Sequence, residues 1–107
     1  MAEVVEVTDD SFQSEVLDAG GLVLVCFWAS DDGKGRAMLT TASEIANEYD
    51  GRTKVCQIDV LYNPQSTLTA GVDSTPALLL FSSGEVVDKL TTMVPKPVIE
   101  KMIQRQM

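Results

Sequence analysis

One segment, residues 22–36, constrains this chain more than any other. Leu22-Val23-Leu24-Val25-Cys26-Phe27-Trp28 contains no polar position. A run of this kind, with β-branched residues and no alternation, reads as a strand buried on both faces. It gives way at Ala29-Ser30 to a polar turn, Asp31-Asp32-Gly33-Lys34-Gly35. From Arg36 onward Met38, Ala42, Ile45, Ala46 and Tyr49 recur at the spacing of one helix face. A buried strand, a turn and a helix in that order belong at the centre of an α/β sheet, where ligands and chemistry collect beyond the carboxyl ends of the strands. Residues 30–35 are therefore the first place to look for function.

The remaining segments fit around this centre. Glu3 to Val7 is a short strand candidate. Phe12, Val16 and Leu17 make one face of a short helix, with Thr8, Asp9 and Asp10 as candidate N-caps and Gly20-Gly21 as its end. Asp50-Gly51 closes the long helix. Lys54 to Val60 reads as the next strand. Asn63-Pro64 opens a helix with proline at its first position, ending near Gly71. Ala77 to Phe81 and Glu85 to Leu90 flank Ser82-Ser83-Gly84 as a hairpin. Pro95 and Pro97 open a last helix that buries Val98, Ile99, Met102 and Ile103. The order βαβαβαββα predicts one α/β domain over residues 1–107, a mixed central sheet in three layers with helices on both faces.

Charge and residue usage narrow the chemistry. With 16 acidic against 8 basic residues the net charge is −8, which speaks against nucleic acid or an anionic membrane as partner. No apolar run is long enough to span a bilayer, and the acidic start lacks a signal-peptide pattern, so a cytoplasmic location is the default expectation. There is no histidine, which removes the commonest general base and metal ligand. Asp31-Asp32-Gly33 is not followed by spaced acidic ligands, and Gly33-Lys34-Gly35 lacks the surroundings of a phosphate loop. Neither a metal nor a cofactor is expected. The two cysteines, Cys26 and Cys56, both lie in apolar strand-like runs and read as buried thiols.

Several short pieces, in order and without a gap, resemble the thioredoxin family. Val25-Cys26-Phe27-Trp28-Ala29 is similar to that family's V-D-F-W-A, and Ile58-Asp59 with Asn63-Pro64 to its I/V-D…N-P. Gly71-Val72, Thr75-Pro76, Leu80-Phe81 and Gly84-Glu85 resemble the series G-I/V…I-P-T…F…G-E. The resemblance implies the thioredoxin-like fold, with a cis bond between Thr75 and Pro76 beside the active-site loop. It also exposes departures. In register with the family's W-C-G-P-C-K/R stand Asp31-Asp32-Gly33-Lys34-Gly35-Arg36, so Asp32 and Gly35 replace the paired cysteines. The family's buried aspartate and its lysine partner, which serve proton transfer, fall on Cys26 and Gln57.

Disulfide exchange needs a thiolate with a second thiol in reach. The helix start that would favour a thiolate instead favours the carboxylates of Asp31 and Asp32, by about 0.3–1 kcal/mol each. By parity along the strands that the resemblance aligns, Cys26 lies on the face that also carries Gln57 and Cys56 on the opposite one, which speaks against a disulfide between them. These points lead to the expectation of a redox-inactive module. It would bind a protein partner, as a monomer or weak dimer, through Ser30, Asp31, Gly33 and Lys34, through Ser74, Thr75 and Pro76, and through the segment with Thr91, Thr92 and Met93. Two alternatives stand beside it. One is a thiol–disulfide oxidoreductase of atypical chemistry, which needs Cys26 or Cys56 to become accessible. The other is an inactive scaffold without a partner.

Overall fold

The computed structural model describes residues 3–92 and 94–107. Its five strands are β1 (Val5–Glu6), β2 (Leu22–Trp28), β3 (Thr53–Asp59), β4 (Ala77–Ser82) and β5 (Glu85–Leu90), in the spatial order β1-β3-β2-β4-β5. β1 and β2 both run parallel to β3, while β4 is antiparallel to β2 and to β5. The strand read as the centre of the chain is thus flanked on both sides. Its residues alternate between two cores, which explains why the run has no polar position. Leu24 and Cys26 face the helices α1 (Gly33–Glu48) and α3 (Lys96–Gln104), packing with Met38, Ile45, Ile99 and Met102. Val23, Val25 and Phe27 face the other way, toward Phe12, Val16 and Val72. The sheet is a middle layer between helical layers, the thioredoxin-like arrangement anticipated from the sequence.

Several boundaries differ from the sequence reading, each for a local reason. α1 begins at Gly33, so most of the polar turn is its first turn. Asp32 makes this possible: its carboxylate accepts from the Lys34 amide at 3.0 Å and offsets the poor helix propensity of two glycines. The short N-terminal helix is a five-residue π turn, Gln13–Leu17, and no side chain caps it. Asp9, expected at that cap, instead serves the helix α2 (Pro64–Thr69). Its carboxylate accepts from the Ser66 amide and hydroxyl, both at 2.7 Å, and from the Gln65 amide at 3.3 Å. Asn63 occupies the N-cap position but makes no side-chain cap bond; its Oδ1 accepts from the Asp9 amide at 3.0 Å instead. On α3 the expected buried face holds for Ile99, Met102 and Ile103, whereas Val98 is exposed.

The β4–β5 hairpin turns at Ser83 and Gly84, both with positive φ (51° and 86°), as a two-residue loop requires. A Cβ on Gly84 would lie 2.6 Å from the Leu17 carbonyl oxygen, so this glycine also lets the hairpin approach the π turn.

Candidate functional site

The topology gathers the expected site at one pole of the sheet. Trp28, the last residue of β2, is in register with Asp59, and Phe27 with Ala77. The chain leaving β2 (residues 29–35), the chain leaving β3 (residues 60–62) and the chain entering β4 (residues 74–76) therefore lie side by side. Leu78 pairs with Leu90, which brings Thr91 and Thr92 to the same end; both are exposed. Met93 lies outside the described residues. Ser30, Asp31, Gly33, Lys34, Ser74, Thr75 and Pro76 thus lie at one end of the sheet. The Thr75–Pro76 bond is cis, as the resemblance implied.

The loop itself is held by backbone and charge. The Asp32 amide donates to the Ala29 carbonyl at 2.9 Å, and the Gly35 amide to the Asp32 carbonyl at 3.1 Å. Asp32 caps α1; Asp31, expected to do the same, makes no such bond and is exposed. Gly35 is buried against Trp28, and a Cβ there would stand 3.0 Å from the Trp28 Cβ. No thiol lies in the loop.

Both sulfurs are fully buried and unpaired. Cys26 sits in the core under α1, among Met38, Ala42 and Leu78, and is the Cα partner of Gln57 on β3. Burial alone pushes its thiol up to about 12. Cys56 sits in the opposite core, beneath the π turn, where burial raises its thiol to about 11; the Lys54 ammonium favours the thiolate and the Glu15 carboxylate opposes it. Lys54 also ties the π turn down, donating to the Glu15 carbonyl at 2.9 Å and to Oε2 at 3.0 Å. The two cysteines face opposite sides of the sheet, as strand parity required.

Sequence reasoning missed a groove at the same pole. About 430 Å³ in volume, it runs beside Thr75 and Ser74 and is lined by Val60, Pro64, Leu68 and Val72, with Asp73 at its side. Leu68 is 82% exposed at its margin, and in the adjoining β3–α2 connection Leu61 and Tyr62 are 50% and 76% exposed. The available signal was weak: Leu68 and Val72 are four residues apart, but α2 is too short for its periodicity to be read. A larger cleft of about 580 Å³ lies at the opposite pole, lined by Glu3, Asp50, Arg52 and Lys54 among others, far from the loop. The described residues include no helix long and apolar enough to cross a membrane.

The family model for thioredoxin matches residues 3–105. Thioredoxin 1 of Nostoc sp. is 36% identical over 107 residues, covering 100% of both chains. Thioredoxin of Synechocystis sp. is 33% identical over 98% of each chain, and thioredoxin of Porphyra purpurea 38% identical over 95% of each. These findings correct the expectation of a redox-inactive binding module. That expectation rested on a few positions, Asp32 and Gly35 in the loop with Cys26, Gln57 and Cys56 in the strands, while the similarity to proteins named thioredoxin runs through the entire chain and favours the oxidoreductase alternative. From the matched residues, the sheet order and the cis-proline loop together, the chain belongs to the thioredoxin family.

Proposed function

We propose that this protein carries out thioredoxin-type thiol–disulfide exchange on protein substrates, in the cytoplasm, by an atypical route that uses one thiol at a time. The observation that carries the reading is the full-length similarity to thioredoxins. The groove beside Ser74 and Thr75 supports it, since an apolar cleft next to the loop suits an extended substrate segment.

The reacting sulfur must be Cys26 or Cys56, the chain's two cysteines. Cys26 is the better placed. It lies two residues before the end of β2, close to the pole that holds the groove, and under α1, whose first turn contains two glycines. Gly33, with open space around it, weakens that turn by up to ~1 kcal/mol relative to alanine, which makes the turn the natural place to open. Desolvation is the sole cause of the raised Cys26 pKa, so opening to water removes the shift and returns an ordinary thiol. The Cys26 thiolate then attacks one sulfur of a substrate disulfide. The substrate S–S bond breaks, a mixed disulfide forms, and the other substrate sulfur leaves as thiolate. A low-molecular-weight thiolate attacks the substrate sulfur of the mixed disulfide, which releases Cys26 as thiolate and leaves a substrate–small-thiol disulfide. A second small thiol attacks that bond, releasing the reduced substrate and the oxidised small-thiol disulfide, so the two small thiols supply both electrons.

The test is dithiothreitol-driven reduction of a protein disulfide, followed for the parent, Cys26→Ser and Cys56→Ser. The expected result is a parent rate above the protein-free blank, lost in Cys26→Ser and kept in Cys56→Ser, with a mixed disulfide on Cys26 found by mass spectrometry. A parent rate equal to the blank refutes the proposal.

A further inference from the structure

Asp73 is the charged member of a groove whose other lining groups are apolar (Val60, Pro64, Leu68 and Val72) or hydroxyl-bearing (Thr67, Ser74 and Thr75). It is exposed, and among the described residues no lysine or arginine forms an ion pair with it. Of the cations at this pole two hold carbonyl groups, and Lys34 forms no ion pair among the described residues. Lys89 donates to the Gly71 carbonyl at 3.4 Å, Arg36 to the Ser30 carbonyl at 3.5 Å, and Lys34 is carried on α1. Asp31, Asp32 and Asp59 add negative charge around the same end of the sheet, within a chain of net charge −8. An occupant of this groove therefore meets an apolar trough with an unpaired carboxylate at its side.

We infer that the groove accepts an extended segment of a protein substrate that carries an apolar side chain next to a lysine or arginine, and that Asp73 is the residue that selects the basic group. This rests on the thiol–disulfide reading above and names the substrate class it serves. The apolar side chain enters between Leu68 and Val72, where it leaves water. The neighbouring cation meets Asp73 at the rim, where the attraction is screened. Acidic flanks are disfavoured by the same carboxylate and by the general negative field, which also slows their approach.

The test uses three capped, cysteine-free peptides that differ at one position, with Lys, Gln or Glu beside a central leucine, and measures their dissociation constants by titration calorimetry. The Lys peptide should bind roughly two- to five-fold tighter than the Gln peptide, the range of an exposed ion pair. The Glu peptide should bind weakest. In Asp73→Asn, or in 0.5 M salt (below a ~5 Å Debye length by interpolation), the three should converge. Equal affinities in the parent, or a preference that survives Asp73→Asn, overturns the assignment, as does binding of none of the three. A second arm oxidises cysteine-extended versions of the peptides to disulfides and follows their reduction. Equal reduction of all three overturns the selectivity while sparing the redox reading. A charge preference in binding without any reduction supports the selectivity and fails the redox reading, so the two failures are distinguishable.

Discussion

Replacing Cys26 by aspartate probes how dry the centre of the site is. Cys26 is 0% exposed, and burial alone moves its thiol from 9.0 to about 12, a difference of about three units. At about 1.36 kcal/mol per unit, that environment penalises a negative charge by ~4 kcal/mol. The same desolvation raises the pKa of a carboxyl at this place well above its ordinary value of about 3.9. The sign follows directly. A raised folded-state pKa leaves the stability intact below the unfolded value, near pH ~4, and removes it as pH climbs from there toward the raised one, because the unfolded chain then binds fewer protons than the native one. A pH-independent remainder of about 1–3 kcal/mol adds to this, for a neutral carboxyl buried without a partner. Urea denaturation of the parent, Cys26→Asp and Cys26→Ser at pH 4.5 and 7.5 measures both parts. Cys26→Asp should lose ~3–4 kcal/mol more at the higher pH, while Cys26→Ser should show the same deficit at both. A domain of this size holds about 5–15 kcal/mol in total, so the aspartate variant folds in acid and is marginal at neutrality. Equal deficits at the two pH values would show that water reaches Cys26, and would refute the desolvation argument on which the proposed opening depends.

Asp32→Cys with Gly35→Cys should raise the disulfide-reduction rate well above that of the parent, since the α1 N-terminus favours a thiolate in the loop itself; an unchanged rate would deny the loop any hold on substrate. In the same assay the parent's rate should climb with pH between 7 and 9, and the double variant's should level off earlier. Asp9→Ala should lower the melting temperature at neutral pH by removing the cap of α2. Partial desolvation raises the Asp9 carboxyl, but the bonds from the Ser66 hydroxyl and amide and the Gln65 amide outweigh it and hold the pKa below its ordinary value. A lowered folded-state pKa gives stability present above the unfolded value and lost in acid, so the parent and Asp9→Ala should converge below pH ~4, as scanning calorimetry would show. Gly84→Ala should cost about 1–3 kcal/mol in urea titration, because its Cβ meets the Leu17 carbonyl and its φ is left-handed.

The sequence by itself determined the parts of this protein that depend on spacing along the chain. The unbroken run from Leu22 to Trp28 could satisfy itself only between two cores, and the period of Met38, Ala42, Ile45 and Ala46 placed one helix against it. Strand parity separated Cys26 from Cys56, and the residues at 32 and 35 stated that no thiol stands in the loop. Read by themselves, that loop and the changes at Cys26 and Gln57 led to the wrong function, because the similarity to thioredoxins is distributed over the entire chain rather than concentrated in one motif. What only the tertiary structure decided are contacts between segments far apart in sequence. Asp9 caps a helix 57 positions away instead of its own. The π turn is held over Cys56 by Lys54. The groove takes Val60, Leu68, Val72 and Thr75 from different elements. A carboxylate or an apolar side chain can be satisfied by any of several neighbours, and local periodicity does not rank them. The choice is made when β2, β3 and β4 come into register and bring the ends of three strands to one pole.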